Sequence, residues 1–362
     1  MKETHLPVSV VGRVTLRDIA ARLGVSHVTV SLALRNHSDI SRARREEVQA
    51  LAKEMGYRPD PALSSLMVYR RERRAVPIQS SIAWVNHWTH PKDLRKHREF
   101  DAYWRGASEA AEHFGYHLDE LIWPEDCSPA RFEKILLTRN IRGILIPPHQ
   151  TQPDWGSFHW EYFSVIRFGL SVRSPDSHVV TADQMRMVIL AMHKIREHGY
   201  ERIGIVVPRD FDIRLGGGFL GGYYASLHMM NLKGKIPPLM TESTVTEELP
   251  TRAAKEFKTW FDKHRPDAIL TTSMFTPGIA ARLKLAIPGD VAMAGTSVSD
   301  IPLTAGINQN SLEIGRVAVE TLVSLINNND LGRPAAPRRI LVEGFWQDGD
   351  SLPLRRRETS KT

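Results

Sequence analysis

The chain has 362 residues, 42% hydrophobic and 25% charged, a soluble globular balance with length enough for a small module and a larger body. A single cysteine, Cys127, excludes an internal disulfide framework and a Cys-rich zinc site. The formal charge of +7 is unevenly spread: residues 1–76 hold 14 Lys/Arg against 8 Asp/Glu, while residues 77–362 hold 34 against 33.

A basic module on a nearly neutral body is the electrostatic footprint of a nucleic-acid reader, although a solvated basic face without a partner gives the same count. Residues 1–14 lack the apolar stretch and cleavage site of a signal peptide, and no run of ~18 apolar residues occurs. The expectation is a cytoplasmic protein with no membrane partner.

In chain order, the first predicted helix starts at Thr15, where Asp18 three residues on completes a capping-box pattern. Leu16, Ile19, Ala20 and Leu23 supply its apolar stripe, and Gly24 ends it. Ser26 is placed to cap a second helix with Val30, Ala33 and Leu34 on its inner face. Two short helices about a glycine turn read as a helix-turn-helix, whose second helix enters the major groove of DNA. A third helix is predicted from Ser41 to Met55, stopped by Gly56. Pro59 and Pro61 then break the pattern, Ala62–Val68 is long enough for one short helix, and Arg70-Arg-Glu-Arg-Arg74 follows as a basic linker.

From Ser80 on, strand-like runs at Ser81–Val85, Ile141–Ile146, Ser164–Phe168, Arg202–Val207, Ala268–Thr271 and Val291–Ala294 alternate with helical ones at Trp104–Phe114, Pro129–Thr138, Gln184–His198, Thr251–His264 and Pro277–Lys284. That alternation predicts parallel α/β sheets of the doubly wound type. No G-x-G-x-x-G follows the first strand, Gly216-Gly-Gly218 lacks the Lys-Ser/Thr of a phosphate loop and reads as a flexible turn, and no G-x-S-x-G elbow or H-E-x-x-H helix occurs. These observations argue against the principal alternative, a Rossmann-like enzyme. The missing export signal argues against a second alternative, a solute receptor. No cofactor or metal site is expected.

The motifs V-T-hydrophobic-x-D-I-A at Val14–Ala20, G-V-S-x-x-T-V-S at Gly24–Ser31 and G-Y-x-P at Gly56–Pro59 resemble those of the lactose/galactose repressor family of bacterial regulators. Later stretches, among them Arg142-Gly-Ile-Leu145, Gly199-Tyr-Glu-Arg-Ile-Gly204 and Ile287-Pro-Gly-Asp-Val-Ala-Met-Ala-Gly295, follow in the order of that family's body. The resemblance implies a small all-α helix-turn-helix domain (13–58), a hinge helix and basic linker (59–76), a two-lobed, periplasmic-binding-protein-like effector and dimerisation domain (77–354) and a basic tail (355–362). The chain would cross three times between the lobes. The implied partners are double-stranded operator DNA, a second copy of the chain, and a small-molecule effector, with a sugar, another metabolite or no effector all left open.

By the same resemblance, DNA contacts fall to Thr15, Ser26, His27, Val28, Thr29, Ser31, Leu32, Asn36, Leu63 and Leu66. His27 and Val28 suit base edges, and Leu66 is the candidate minor-groove wedge. Three positions depart from the family: Leu32 stands where an Arg usually reads guanine, and Asp60 and Ser64 replace the usual hinge residues. The implied effector positions are Asn86, His87, Trp88, His149, Asp183, Arg214, Phe219, Thr272, Ser297 and Gln309. Phe219 and Ser297 stand where the family often places a cation and a carboxylate. Trp88 suits either stacking on a sugar face or ordinary packing.

Overall fold

A computed structural model of the chain describes residues 14–34, 40–57, 80–231, 236–242 and 249–355. It forms two compact units, Met1–Pro77 with Ser324–Asp330, and Ile78–Val323 with Leu331–Thr362.

The N-terminal unit holds α1 (Leu16–Leu23), α2 (His27–Leu34) and α3 (Arg42–Glu54). The Asp18 carboxylate accepts from the Thr15 backbone N–H at 2.7 Å and from its hydroxyl at 2.8 Å, which fixes the start of α1. Gly24 ends the helix in the left-handed region at φ 64°, and the Val25 N–H reaches back to the Ala20 carbonyl at 3.1 Å. No side chain crowds that position, so conformation alone calls for glycine there. Ser26 Oγ then accepts from the Thr29 N–H at 3.0 Å and caps α2. Ile19, Ala20, Val30, Ala33, Val48 and Ala52 are buried together, with Leu16, Leu23, Val25, Leu34, Leu51 and Met55 packed around them. Small residues at 20, 33 and 52 let three short helices cross closely, and Gln49 Nε2 donates to the Ala33 carbonyl at 3.2 Å, tying α3 to α2.

The larger unit contains, in order, β1 (Ser80–Asn86), α4 (Pro91–Leu94), α5 (Arg98–His113), β2 (Tyr116–Ile122), α6 (Pro129–Thr138), β3 (Gly143–Ile146), a short 3-10 turn at Trp160–Tyr162, β4 (Ser164–Phe168), β5 (His178–Ala182) and α7 (Gln184–Glu197). Next come β6 (Ile203–Pro208), α8 (Arg209–Arg214), α9 (Gly218–Met229), β7 (Leu239–Thr241), α10 (Leu249–His264), β8 (Ala268–Thr271) and α11 (Thr276–Arg282). The last elements are β9 (Ala292–Gly295), β10 (Gly306–Asn308), α12 (Ser311–Asn327), β11 (Arg339–Val342) and β12 (Phe345–Gln347).

The strands form two six-stranded sheets, ordered β11-β5-β4-β3-β1-β2 and β12-β10-β9-β8-β6-β7. The first is parallel throughout and the second carries only β12 antiparallel, against β10. Each sheet is the centre of one lobe. The chain passes between the lobes after β5, after β10 and after β11, so the three crossings implied by the family resemblance are present. Every residue of β3, β4 and β5 is buried, as expected of central parallel strands covered on both faces. The core of the first lobe is aromatic, with Trp123, Phe132, Trp155, Phe158, Trp160 and Phe163 in one cluster. The second is built around Phe257, Trp260, Phe261, Ile269 and Met293.

Glycines set two close helix crossings. A methyl group at Gly222 of α9 would sit 2.6 Å from the Met185 carbonyl oxygen and 2.8 Å from Val188 Cβ of α7. One at Gly106 of α5 or Gly315 of α12 would strike the backbone of Leu312 or Tyr103 respectively, so α5 and α12 touch backbone to backbone. The sequence places the helix containing Trp104 from that residue onward, whereas α5 begins six residues earlier, at Arg98. The charged residues Arg98, Glu99 and Asp101 hide its apolar period. Gly216 and Gly217, at φ 83° and 77°, make the turn between α8 and α9, and Gly218 is already helical.

Candidate nucleic-acid interface and interlobe cleft

Of the sequence-predicted DNA positions, those on and before α2 lie along one exposed end of the N-terminal unit. His27 and Val28 form the first turn of α2 and are both exposed, Val28 at 52% despite its apolar side chain. Ser26 is also exposed, and its hydroxyl lies 2.8 Å from that of Thr29. Val30 and Ala33 on the opposite side are fully buried, so α2 has a fixed inner face and an outer face led by its N-terminal turn. Leu32 and Ser31 are half-buried. Thr15 is exposed at the start of α1, its polar atoms tied to Asp18. Asn36, Leu63 and Leu66, with the predicted hinge and linker at 59–76, lie outside the described residues.

The effector positions fall at or just beyond the carboxyl ends of strands in both sheets: Asn86 ends β1, Asp183 follows β5, Thr272 follows β8, Ser297 follows β9 and Gln309 follows β10. Ligands of open parallel sheets bind at that edge. The two lobes meet there. Arg214, at the end of α8, donates to the Gln150 carbonyl of the first lobe at 3.0 Å. The Arg98 N–H, at the start of α5, donates to Asp300 Oδ1 of the second lobe at 2.8 Å.

Several expected ligand groups are committed to the protein itself. Asn86 is fully buried, donating to the Pro91 carbonyl (2.9 Å) and Glu120 (2.8 Å) and accepting from the Trp88 N–H (3.1 Å). Trp88 is 9% exposed, gives its indole N–H to the Pro148 carbonyl at 2.9 Å, and lies against His97 and Phe100. Its geometry is that of packing rather than a stacking platform. Asp183 caps α7, accepting from the Arg186 N–H at 3.0 Å. Phe219 is 3% exposed and stacked on Phe211 at 5.7 Å. Gln309 donates to the Thr296 carbonyl at 3.0 Å.

His149 is also structural. Its Nε2 accepts from the His87 N–H at 3.0 Å, so Nδ1 carries the proton and donates to the Pro147 carbonyl at 2.7 Å. Burial, the largest cause, pushes its pKa down to about 4, and the ring is neutral. His87 lies against Trp123, ring centroids 4.5 Å apart, and donates from Nδ1 to the Trp123 carbonyl at 2.8 Å.

Two polar atoms at this edge are buried without a protein partner among the described residues: Arg214 Nε and Thr272 Oγ1. Burial also draws the Arg214 guanidinium below its ordinary pKa. Both residues belong to the second lobe: Thr272 directly follows β8, its N–H bonded to the Val206 carbonyl at 3.1 Å, and Arg214 ends α8, the helix after β6.

A group absent from the sequence-based set sits at the same edge. Glu99, in the first turn of α5, is 4% exposed, and its carboxyl oxygens accept from the Ser297 and Ser311 hydroxyls. Glu99, Tyr103, Gly106, Ala107 and Ala110 share the buried stripe of α5. An acid continuing an apolar stripe by one turn was the available signal. A helix predicted only from Trp104 leaves Glu99 outside that stripe.

Together, a three-helix unit with a capped, outward-facing second helix and two parallel-sheet lobes joined by three crossings form the architecture of a DNA-binding regulator with a two-lobed body. Residues 15–60 match the sequence family described as bacterial regulatory proteins, lacI family. Over 346 residues, 91% of this chain and 98% of the relative, it is 25% identical to the HTH-type transcriptional regulator MalR of Streptococcus pneumoniae. Over 338 residues, 88% of this chain and 91% of the relative, it is 25% identical to the HTH-type transcriptional repressor CytR of Escherichia coli. In fold it resembles a transcriptional regulator CelR–cellobiose complex (TM-score 0.56, 20% identity, 94% of this chain and 100% of that one). It also resembles a lac repressor dimer bound to operator and the anti-inducer ONPF (TM-score 0.53, 15% identity, 94% and 100%). Residues 15–60 therefore carry a lacI-family DNA-binding segment, and over most of its length the chain is similar to DNA-binding transcription regulators.

Proposed function

We propose that the chain is a repressor that binds a near-palindromic operator as a homodimer, with α2 in the major groove, and that a small polar molecule in the interlobe cleft controls it. The observation carrying this reading is the outer face of α2. Ser26, His27 and Val28 are presented at the helix N-terminus while Val30 and Ala33 anchor the opposite side. A helix N-terminus suits phosphate, an imidazole suits a base acceptor, and a bare valine suits a thymine methyl. One such helix per chain calls for a two-fold dimer on a two-fold operator. Ser26, Thr29, Ser31 and Thr15 are assigned to the phosphate side, and Leu63 and Leu66 to the minor groove, the last two on sequence alone. Action on chromosomal DNA places the protein in the cytoplasm.

The orphaned Arg214 Nε and Thr272 Oγ1 support a polar ligand at the strand edge, because buried polar groups cost free energy until they are bonded. A carbohydrate is the ligand class most in keeping with the relatives, one of which is described in complex with cellobiose. Selection of bound sequences from random duplex DNA with the full-length protein tests the main reading. The expected outcome is two related half-sites in inverted orientation. Recovery of no shared sequence would overturn it.

A further inference from the structure

The cleft edge holds one buried acid that no cation neutralises. Glu99 lies on α5 in the first lobe, Ser297 just past β9 in the second, and Ser311 at the start of α12. Both serine hydroxyls donate to the Glu99 carboxyl group, one oxygen each, and all three residues are buried. Ser297 Oγ in turn accepts from the Asp300 N–H at 3.1 Å, and Asp300 Oδ1 accepts from the Arg98 N–H at 2.8 Å. A closed set of bonds therefore runs from the first turn of α5 to the loop after β9 and back. Among the described residues no Lys or Arg pairs with Glu99.

Ser297 is also where the family resemblance leads one to expect a carboxylate. The second lobe presents a hydroxyl there instead, and the carboxyl group comes from the facing lobe. A ligand bridging the lobes ordinarily supplies contacts of this kind, with groups on each side reaching the same small molecule. Here the two lobes reach each other.

We propose that Glu99, bonded to Ser297, is a built-in latch that holds the two lobes together in the ligand-free protein. Ser311 and the backbone contact between α5 and α12 fix Glu99 within its own lobe, so the buried Ser297 bond must break, with the Arg98–Asp300 and Arg214–Gln150 bonds, when the lobes part. Burial raises the Glu99 pKa, and Asp300 adds to the rise. Glutamine matches glutamate in shape, and its amide can accept from one serine hydroxyl and donate to the other, so Glu99→Gln should preserve the latch and Glu99→Ala should remove it.

The latch stands or falls without any effector, so it is tested on the full-length, ligand-free protein, apart from the cleft reading above. Hydrogen exchange of peptides covering Arg98–Asp101 and Ser297–Asp300 reads the bonds that close the set. Glu99→Ala and Ser297→Ala should each raise exchange there by about tenfold or more, with overall helix content unchanged. The double variant should add nothing to either single one, and Glu99→Gln should exchange like the parent. Small-angle scattering should show a larger radius of gyration for Glu99→Ala and for Ser297→Ala, and no increase for Glu99→Gln. Unchanged exchange in a folded Glu99→Ala protein, or additive effects in the double variant, would overturn the proposal. So would a Glu99→Gln protein as open as Glu99→Ala.

Discussion

At the scale of single residues, two histidines of similar standing in the sequence have opposite fates. His27 is exposed at the start of α2, and His149 is buried in a fixed tautomer between the Pro147 carbonyl and the His87 N–H. Exchange of the His27 imidazole for a methyl group should change the preferred bases at one position of each half-site and cost about 1–3 kcal/mol on the parent operator. Parallel selections with the parent and His27→Ala check this. For His149 the folded pKa, about 4, lies below the ordinary 6.5, so the unfolded chain binds more protons than the native state between those values. Stability should therefore fall as pH drops from about 6.5 to about 4, by up to roughly 3 kcal/mol from this group. A ring-carbon and nitrogen NMR titration should find His149 neutral down to about pH 4, and a midpoint near 6.5 would contradict the assignment. The roles of Asn86, Trp88, Asp183 and Phe219 as structural ties were not legible beforehand. Whether an asparagine caps a loop or faces a ligand depends on carbonyls such as that of Pro91, which only the folded chain brings near.

At the scale of elements, the helix-turn-helix was legible almost residue by residue because its signals are local. Thr15, Gly24 and Ser26 act within four residues of themselves, through capping bonds and one left-handed turn. The central strands β4 and β8 were equally plain as short apolar runs between turns. β2 and β5 were missed, since Asp119 and Glu120 interrupt the first and His178 opens the second with a polar residue. Helix crossings are harder to read, because a glycine inside a helix signals close approach without naming the partner. Gly222 against α7 gives a direct test. An added methyl group meets the Met185 carbonyl and Val188 Cβ at 2.6 and 2.8 Å, and relief requires the two helices to move apart. Gly222→Ala should destabilise the larger unit by about 1–3 kcal/mol despite alanine's better helix propensity. Denaturant titration checks it. Gly221, the next residue, has open space around it, and Gly221→Ala should be neutral or stabilising by up to about 1 kcal/mol.

At the scale of the whole molecule, the order of strands and the three crossings between sheets follow the family resemblance more than any single motif. The side chains at the implied effector positions are less legible, because residues there can vary while the strands beneath them stay fixed, as Phe219 and Ser297 do where the family often places a cation and a carboxylate. Sedimentation of the full-length protein should give a dimer, free and on DNA, since a single helix-turn-helix per chain spans only one half-site. The charge division between residues 1–76 and 77–362 bears on the central claim, that this chain is a sequence-specific DNA reader acting through its basic N-terminal unit. The most direct measurement is a fluorescence-anisotropy titration of the full-length protein on the selected operator and on a scrambled duplex, over a series of salt concentrations. The account predicts log affinity falling linearly with log salt, by about 0.9 per phosphate neutralised, and a preference for the operator on the order of a thousandfold or more at physiological salt. Equal affinity for the two duplexes, or binding indifferent to salt, would contradict it.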